Sequence, residues 1–203
     1  MTGSAIRIAL LALPLLLTAC APLQPARPAA PAAIRAYQQS IELGGRLSVR
    51  YETLHGEEAL HGGFQWSQAG PATSVVLLSP LGQAMARIDV TPATATLLQA
   101  GQPARSAPDP DTLTATTLGW PLPVAGLRDW LQGFAIDEQG RQFIASPQNT
   151  SVNTRDGWLV LYPAWVDDGA GTPRPRRIDL SRRTAQAGEV AIRIVIDTWQ
   201  PTS

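Results

Sequence analysis

Apolar and polar residues alternate along several stretches of this chain, and this alternation constrains its fold more than any other feature. The alternating stretches contain Leu47, Val49 and Tyr51; Leu60, Gly62, Phe64 and Trp66; and Ala84, Ala86, Ile88 and Val90. Because successive side chains of a strand point to opposite faces of a sheet, each stretch predicts a strand with one buried face. Glycine and proline turns separate the stretches, as at His55-Gly56 and Thr91-Pro92, so an antiparallel meander is expected.

Strand patterns return in the second half of the chain, at residues 142–145, 151–154, 158–162, 177–181 and 190–199. Together with the continuous apolar run at residues 75–78, they bring the expected number of strands to about ten. A sheet of that length usually curls or closes to limit its exposed edges and to bury its apolar face. The sequence therefore predicts a mainly β fold with a concave sheet.

Helical spacing occurs at three places. Residues 34–41 predict a short helix that opens the domain, with Ile34, Tyr37 and Ile41 on one face. Asp109-Pro110 is typical of a helix N-terminus, and that helix is expected to end near Gly119. A third helix is expected between Pro123 and Gly133, with an apolar stripe of Val124, Leu127, Trp130 and Leu131. These helices are expected to cover the concave side of the sheet.

The N-terminal residues resemble the signal peptide of a bacterial lipoprotein. Arg7 precedes an apolar run at residues 8–17, and the segment ends at Leu17-Thr18-Ala19-Cys20. Removal of residues 1–19 would leave Cys20 as the first residue, and the resemblance implies that diacylglycerol and a further acyl chain, such as palmitate, are attached to it. Three acyl chains at about 0.8 kcal/mol per buried methylene give a permanent anchor. The alternative is a short membrane anchor with an incidental cysteine, although the run is shorter than the roughly 20 residues that span a bilayer.

Residues 20–33 form an alanine- and proline-rich segment, with Pro22, Pro25, Pro28 and Pro31 at every third position. Such a segment favours extended polyproline II and predicts a tether of about 40 Å without a specific partner. The remaining residues, 34–203, are enough for one domain with its own core. In the bacterial lipoproteins that this N-terminus resembles, an aspartate after the cysteine signals retention in the inner membrane. Because Ala21 stands at that position, the resemblance implies a location in the outer membrane.

Composition excludes several classes of function. The formal net charge is zero, so no nucleic-acid partner is expected. The chain contains no lysine, which excludes a phosphate-loop lysine and a Schiff-base lysine. Cys20 is the only cysteine, so the mature domain has no internal disulfide and no cysteine-built metal site. His55 and His61 lack metal-ligand neighbours in the sequence, no Gly-x-Ser-x-Gly motif occurs, and the carboxylates are scattered. Neither a metal, nor a cofactor, nor an enzymatic activity is therefore expected.

Five sequence motifs resemble the family of the outer-membrane lipoprotein receptor LolB. In chain order they are Phe64-Gln65-Trp66; Leu77-Leu78-Ser79-Pro80-Leu81-Gly82; Gly119-Trp120-Pro121-Leu122-Pro123, with Leu127, Trp130 and Gly133 downstream; Trp158-Leu159-Val160-Leu161-Tyr162; and Ile192-Arg193-Ile194-Val195-Ile196-Asp197-Thr198-Trp199. Each motif is weak alone, but their order and spacing behind the lipoprotein signal make the combination specific. The resemblance is poor in the tether and in residues 167–177.

The resemblance implies an incomplete antiparallel barrel of about eleven strands that encloses a hydrophobic cavity under about three short helices. It also implies a monomeric transport chaperone that faces the periplasm. Such a protein accepts triacylated lipoproteins from the soluble periplasmic carrier LolA and inserts them into the inner leaflet of the outer membrane. No nucleotide-binding motif is present, so transfer must run downhill in free energy.

Inward-facing side chains would line such a cavity, and the candidates are Leu47, Val49, Phe64, Trp66, Leu127, Trp130, Ile192 and Ile194. Each is equally compatible with an ordinary core position, and the sequence does not determine which alternate set faces inward. Pro80, Leu81 and Gly82 form a predicted hairpin tip, where a leucine is unusual. The resemblance implies that Leu81 contacts the membrane during delivery; the alternative is a loop residue packed under a neighbouring strand.

The arginines of residues 174–183, namely Arg174, Arg176, Arg177, Arg182 and Arg183, form a basic stretch. It is interpreted as solvated loop residues in preference to a contact with acidic lipid or with the carrier. Three other functions stay open: a structural outer-membrane lipoprotein, the soluble carrier itself and an enzyme. A filled core would favour the structural protein, and an apolar pocket would favour the receptor.

Overall fold

The structure is a computed structural model, and it describes residues 35–53, 55–167, 172–185 and 187–202. The predicted signal peptide, Cys20 and the tether lie outside the described residues, as does Ile34. Predictions about those segments therefore stay predictions.

Twelve strands and two helices occur in the described part of the chain. In chain order they are β1 (Ser40–Thr53), β2 (Gly56–Ala69), β3 (Ala72–Leu78), β4 (Ala84–Val90), β5 (Ala95–Gln99), β6 (Arg105–Ala107), α1 (Pro110–Leu118), α2 (Val124–Trp130), β7 (Phe134–Ile136), β8 (Gln142–Ile144), β9 (Ser151–Asn153), β10 (Leu159–Val166), β11 (Arg174–Thr184) and β12 (Gly188–Pro201). The mainly β class is confirmed. The structure has one strand more than the eleven that the resemblance implies and one helix fewer than the three expected.

Ten strands form one antiparallel sheet in the order β6-β5-β4-β3-β2-β1-β12-β11-β10-β9, and β7 pairs with β8 in a separate hairpin. The first and last strands of the chain, β1 and β12, are neighbours in the middle of the sheet. The strands β6 and β9 are its two free edges, so the sheet does not close on itself. The predicted incomplete antiparallel barrel is therefore confirmed.

The helix predicted for residues 34–41 is wrong. Residues 35–38 have no regular structure, and Ile41 lies in β1 with a fully buried side chain. Ile41 pairs with Gln68 of β2 and with Pro201 of β12, so the backbone of this segment is hydrogen-bonded on both sides. Two sheet partners outweigh a weak local helical pattern, because helix propensity is readily overridden by tertiary contacts.

The alternation seen in the sequence decides which face of the sheet is buried. In β12, Val190, Ile192, Ile194 and Ile196 are buried, whereas the residues between them are exposed or half-buried. We call the buried side the inner face and the opposite side the outer face. The two helices cover the inner face, because Leu113, Trp120, Leu122, Leu127 and Trp130 belong to the same buried cluster as the inner strand residues.

Helix α1 has the ends that its sequence predicts. The carboxylate of Asp109 accepts a hydrogen bond from the backbone N–H of Thr112 at 2.8 Å. Hydrogen bonds from the side chain and the backbone of Thr112 lower the pKa of Asp109. Gly119 follows the helix with a φ of 83°, a left-handed conformation that favours glycine at a helix C-terminus. Within the described ranges, neither helix has the length and apolar character needed to cross a membrane.

Candidate functional site

The hairpin between β3 and β4 is a tightly hydrogen-bonded turn. The backbone N–H of Ser79 donates to the carbonyl oxygen of Gln83 at 2.8 Å, and the N–H of Gly82 donates to the carbonyl oxygen of Ser79 at 2.9 Å. The N–H of Gln83 also donates to the Ser79 hydroxyl at 3.2 Å. Pro80 occupies the turn position that its fixed φ suits, and Gly82 has a φ of 81°. The turn therefore has a defined shape.

Leu81 projects from this turn into solvent with 88% of its surface exposed. Pro80 and Gly82 on either side are exposed as well. An isolated exposed leucine is common, but a leucine fixed at the tip of a structured hairpin is available for contact with an apolar phase. Pro80, Leu81 and Gly82 thus form the protruding tip that the sequence predicts.

An apolar pocket of about 170 Å³ opens on the inner face near this hairpin. Its lining is almost entirely apolar and consists of Leu47, Val49, Leu60, His61, Gly62, Gly63, Leu77, Leu78, Met85, Ala86, Gln99, Leu118 and Trp120. Leu60 and Met85 are 40% and 51% exposed, so apolar side chains are in contact with solvent beside the pocket. We call this cavity the inner pocket.

The structure places six of the predicted cavity residues on the inner face of the sheet and the other two, Leu127 and Trp130, on the buried side of α2. Leu47 and Val49 line the inner pocket. The other six are buried in the core, namely Phe64, Trp66, Leu127, Trp130, Ile192 and Ile194. A role in binding for these six stays a prediction, because in this structure they pack against other side chains.

Sequence reasoning named two of the thirteen residues that line the inner pocket, and the residues that it missed include the apolar Leu60, Met85, Leu118 and Trp120. Met85 lies beside a β-bulge, since Leu77 pairs with Ala86 whereas Leu78 pairs with Ala84. A bulge interrupts the alternation of side chains, so the sequence pattern assigns Met85 to the wrong face. Leu118 and Trp120 lie on either side of Gly119 at the C-terminus of α1. Two large apolar residues at a helix end were the sequence signal that could have identified them as pocket residues.

Polar contacts fasten α2 and the turn after it to the sheet. The guanidinium of Arg128 donates to the carbonyl oxygens of Gly70 and Pro71, both at 2.6 Å. The side-chain amide of Gln132 accepts from the backbone N–H of Gln38 at 2.8 Å and donates to its carbonyl oxygen at 3.0 Å. Gln132 is almost fully buried, so these bonds satisfy an amide that water cannot reach.

Two further contacts join α1 to the start of α2. The Asp111 carboxylate accepts from the backbone N–H of Ala125 at 3.1 Å. The hydroxyl of Thr114 donates to the carbonyl oxygen of Leu122 at 3.0 Å and accepts from its N–H at 3.1 Å. Burial raises the pKa of Asp111 to about 6, and the nearby Asp109 also raises it.

The interpretation of the basic stretch as loop residues is wrong. Arg174, Arg176, Arg177, Arg182 and Arg183 all belong to the strand β11. Four of them have charged or aromatic neighbours. Arg177 forms an ion pair with Asp179 at 2.6 Å, and Arg183 lies 3.5 Å from Glu189. The guanidinium groups of Arg174 and Arg182 lie over the rings of Trp199 and Trp158. These contacts within the chain give most of the arginines of the stretch a partner, so no external acidic partner is needed to explain them.

His55 and His61 are exposed at and near the turn between β1 and β2. In the part of the chain that the structure describes, no cluster of three or more His, Cys, Asp or Glu side chains could hold a metal ion. The arrangement of the described residues thus offers an apolar pocket and a protruding leucine as its distinctive chemistry.

Comparison with known proteins places this geometry in a family. The family model described as outer membrane lipoprotein LolB matches residues 39–199. The outer-membrane lipoproteins LolB of Cupriavidus taiwanensis and Cupriavidus necator are each 41% identical to this chain, and the alignments cover 96% of this chain and 98% of each relative. The LolB of Thiobacillus denitrificans is 39% identical, with 78% of each chain covered.

Among solved structures, the chain is similar to a LolA superfamily protein from Nitrosomonas europaea. The two share 13% identity over 84% of this chain and 89% of the other, with a TM-score of 0.47. At this TM-score the likeness supports no argument about function.

Proposed function

The chain belongs to the outer membrane lipoprotein LolB family, and we propose that it accepts triacylated lipoproteins from a LolA-like periplasmic carrier and inserts them into the inner leaflet of the outer membrane. Membership of this family supports a role in the localisation of lipoproteins at the outer membrane. In this proposal Cys20 carries the lipid that holds the protein to that membrane, facing the periplasm.

The observation that carries the proposal is the position of the inner pocket next to a protruding leucine. Acyl chains need an apolar container, because each methylene exposed to water costs about 0.8 kcal/mol. Leu47 and Val49 form the apolar wall of the inner pocket on the side of the sheet. Leu118 and Trp120, at the C-terminus of α1, form its apolar wall on the side of the helices. Leu81 lies on the adjacent hairpin, where it can contact the bilayer that receives the cargo.

The inner pocket must widen when it binds. Its volume of about 170 Å³ is below the range of roughly 300 to 1,000 Å³ that is usual for pockets that hold small molecules. Leu118 and Trp120 are the movable part of the lining, since they lie at the end of α1 and the strands opposite them are held in the sheet. A bound acyl chain would thus displace the C-terminal end of α1.

Transfer needs no cofactor or nucleotide in this scheme, because the order of affinities drives it. Acyl chains must bind more favourably here than in the carrier, and more favourably still in the membrane. Leu81 contributes to the last step. One buried leucine is worth about 1.5 to 3 kcal/mol, which is too little for an anchor and enough to orient the pocket towards the bilayer.

A test of acceptance uses the chain from Ala21 onward, mixed with carrier-bound lipoprotein in the absence of membrane. The proposal expects the lipoprotein to co-elute with this chain after size-exclusion chromatography. A purely structural outer-membrane lipoprotein would leave the cargo on its carrier, and that result would reject the proposed function.

A test of delivery uses Leu81→Glu in the full lipidated protein. A carboxylate at the hairpin tip opposes contact with the bilayer, so insertion of cargo into vesicles should stop while acceptance from the carrier continues. Leu98→Glu is the matched control, because Leu98 is an exposed leucine of β5 away from the tip. Equal loss of both steps in Leu81→Glu, or loss of neither, would show that Leu81 has another role.

A further inference from the structure

A second apolar groove, of about 480 Å³, lies beside the hairpin tip. It is lined by Arg46, Leu47, Ser48, His61, Gly62, Gly63, Leu78, Ser79, Pro80, Gly82, Arg193 and Val195. Most of these residues have outer-face positions, as their alternation with the buried Val49, Phe64 and Ile194 shows. We call it the outer groove.

The outer groove exists because β2 loses one of its neighbours. The pairing of β2 with β3 begins at Gly63 and Leu78, so residues 56–62 of β2 extend past the end of β3. Gly63 lies at this point and contributes no side chain to fill the space, whereas the backbone of Leu78 packs directly against Gly62. A Cβ added at Gly63 would meet Leu78 and Gly45 at 3.4 Å, which is ordinary contact. Beside the hairpin, β2 therefore has no strand paired to it on the β3 side, and few side chains fill this part of the sheet.

The outer groove and the inner pocket share part of their lining. Five residues line both cavities: Leu47, His61, Gly62, Gly63 and Leu78. Only this segment separates the inner face from the outer face beside the tip. We propose that the outer groove is the exit site for the acyl chains of the cargo, through which they pass from the inner pocket along the hairpin towards the membrane.

The walls of the groove, more than the charges at its rim, indicate its ligand. Arg46 forms an ion pair with Asp197 at 3.0 Å, which compensates its charge. Arg193 lies 3.3 Å from Asp179, a carboxylate that it shares with Arg177, so the charge of Arg193 is only partly compensated. The walls between them are apolar, through Leu78, Pro80 and Val195. An acyl chain matches these walls.

This inference rests on the proposed function and adds a route to it. The inner pocket is too small for a triacylated cargo, and the outer groove provides further apolar surface and a larger volume beside it. The route also gives the hairpin a second role. Pro80 and Gly82 of the hairpin form one wall of the groove, and Leu81 lies between them at the hairpin tip. Acyl chains that leave by this route reach the bilayer where Leu81 contacts it.

Photo-crosslinking tests the position of the acyl chains. A benzophenone amino acid replaces Val195 in the full lipidated protein, which is reconstituted in vesicles and supplied with carrier-bound lipoprotein that has radiolabelled acyl chains. The same substitution at Ser67 is the control, since Ser67 lines a different outer-face groove of about 520 Å³ with a more polar lining. Label is expected on the Val195 variant and absent from the Ser67 variant.

Gly63→Val tests the route itself. Valine is favoured in strands, the added Cβ fits, and its methyl groups would occupy the outer groove. We expect insertion of cargo into vesicles to slow by about tenfold, because the acyl chain must pass an overpacked site. Acceptance of the cargo from the carrier should be unchanged. Gln65→Val is the matched control, because Gln65 lies on the same strand and face but outside the outer groove.

The outcomes separate this inference from the proposed function. Wild-type protein that takes no lipoprotein from the carrier would overturn both. Wild-type transfer with equal insertion rates for Gly63→Val and Gln65→Val, and with no label at Val195, would overturn the outer groove alone. If Gly63→Val does not fold, as urea unfolding would show, the crosslink at Val195 decides: label there supports the route, and equal label at Ser67 and Val195 rejects it.

Discussion

The two helices that cover the inner face, α1 and α2, are called the lid here, and its two ends are held in different ways. At the end we call the anchored end, Arg128 and Gln132 make hydrogen bonds to backbone groups of Gly70, Pro71 and Gln38. At the other, the pocket end, Leu118 and Trp120 meet the sheet across the inner pocket through apolar contacts. Hydrogen bonds require a fixed geometry, whereas apolar contacts tolerate displacement.

This difference predicts where the helices can move away from the sheet. Moving the anchored end would leave the buried amide of Gln132 without partners, which costs roughly 1 to 3 kcal/mol, and would also break the hydrogen bonds of the half-buried Arg128. Moving the pocket end exposes apolar surface, and an incoming acyl chain covers that surface again. We therefore expect α2 to stay fixed and the end of α1 to be displaced.

Gln132→Leu should have the largest effect, because it breaks the anchored end. Leucine preserves the volume of the side chain but leaves the backbone N–H and carbonyl of Gln38 without their partner. We expect the free energy of unfolding to fall by about 2 to 4 kcal/mol. Urea unfolding of the chain from Ala21 onward, followed by tryptophan fluorescence, measures the change.

Leu118→Ala is the counterpart at the pocket end. Leu118 is half-buried and borders a space that already exists, so its truncation should cost about 1 kcal/mol. If Leu118→Ala destabilised the protein as much as Gln132→Leu, the two ends of the lid would be equally rigid, and the comparison between them would be wrong.

Asp111→Asn should have an intermediate effect, because Asp111 links α1 to α2. Its pKa is raised to about 6 from an ordinary value of 3.8, chiefly by burial, with Asp109 and Asp156 adding repulsion. Asparagine keeps an oxygen that can accept from the N–H of Ala125 but carries no charge. At pH 7.5 the variant should be more stable than the wild type by about 1 to 3 kcal/mol.

The sign of this effect fixes its pH dependence. A carboxyl group whose pKa is raised by folding favours the folded state when it is protonated, and this favourable contribution is lost as the pH rises through 6. The advantage of Asp111→Asn should therefore shrink as the pH falls from 7.5 and vanish near pH 4. Thermal unfolding at a series of pH values measures it, and an advantage that stays constant with pH would contradict the cause given for the shift.

The sequence predicted those parts of the fold that depend on local chemistry. Asp109 and Gly119 mark the two ends of α1 because a capping carboxylate and a left-handed glycine act within a few residues. The alternation in β12 identified a buried face because one whole side of the strand packs against the core. The exposure of Leu81 followed from turn chemistry in the same way.

Features that depend on distant partners were not predictable. The helix expected at residues 34–41 was wrong because β2 and β12, far along the chain, hold that segment as a strand. The short strands β5, β6 and β7 lack a clear alternation and form only through their neighbours in the sheets. The inner pocket depends on a bulge beside Met85 and on the packing of the α1 C-terminus against the sheet, and neither is encoded by a local pattern.

Met85→Gln should have the smallest effect, and it tests the pocket end directly. Met85 is half-exposed beside the inner pocket, so replacing its thioether by an amide removes apolar contact without a large change in volume. The affinity for a fluorescent fatty acid should fall about two- to tenfold, which corresponds to roughly 0.5 to 1.5 kcal/mol. Leu161→Gln is the control, because Leu161 is an exposed apolar residue on the outer face of β10 that lines neither the inner pocket nor the outer groove. If both variants weakened binding equally, the probe would be binding to exposed apolar residues in general, and the pocket end would not be where acyl chains enter the fold.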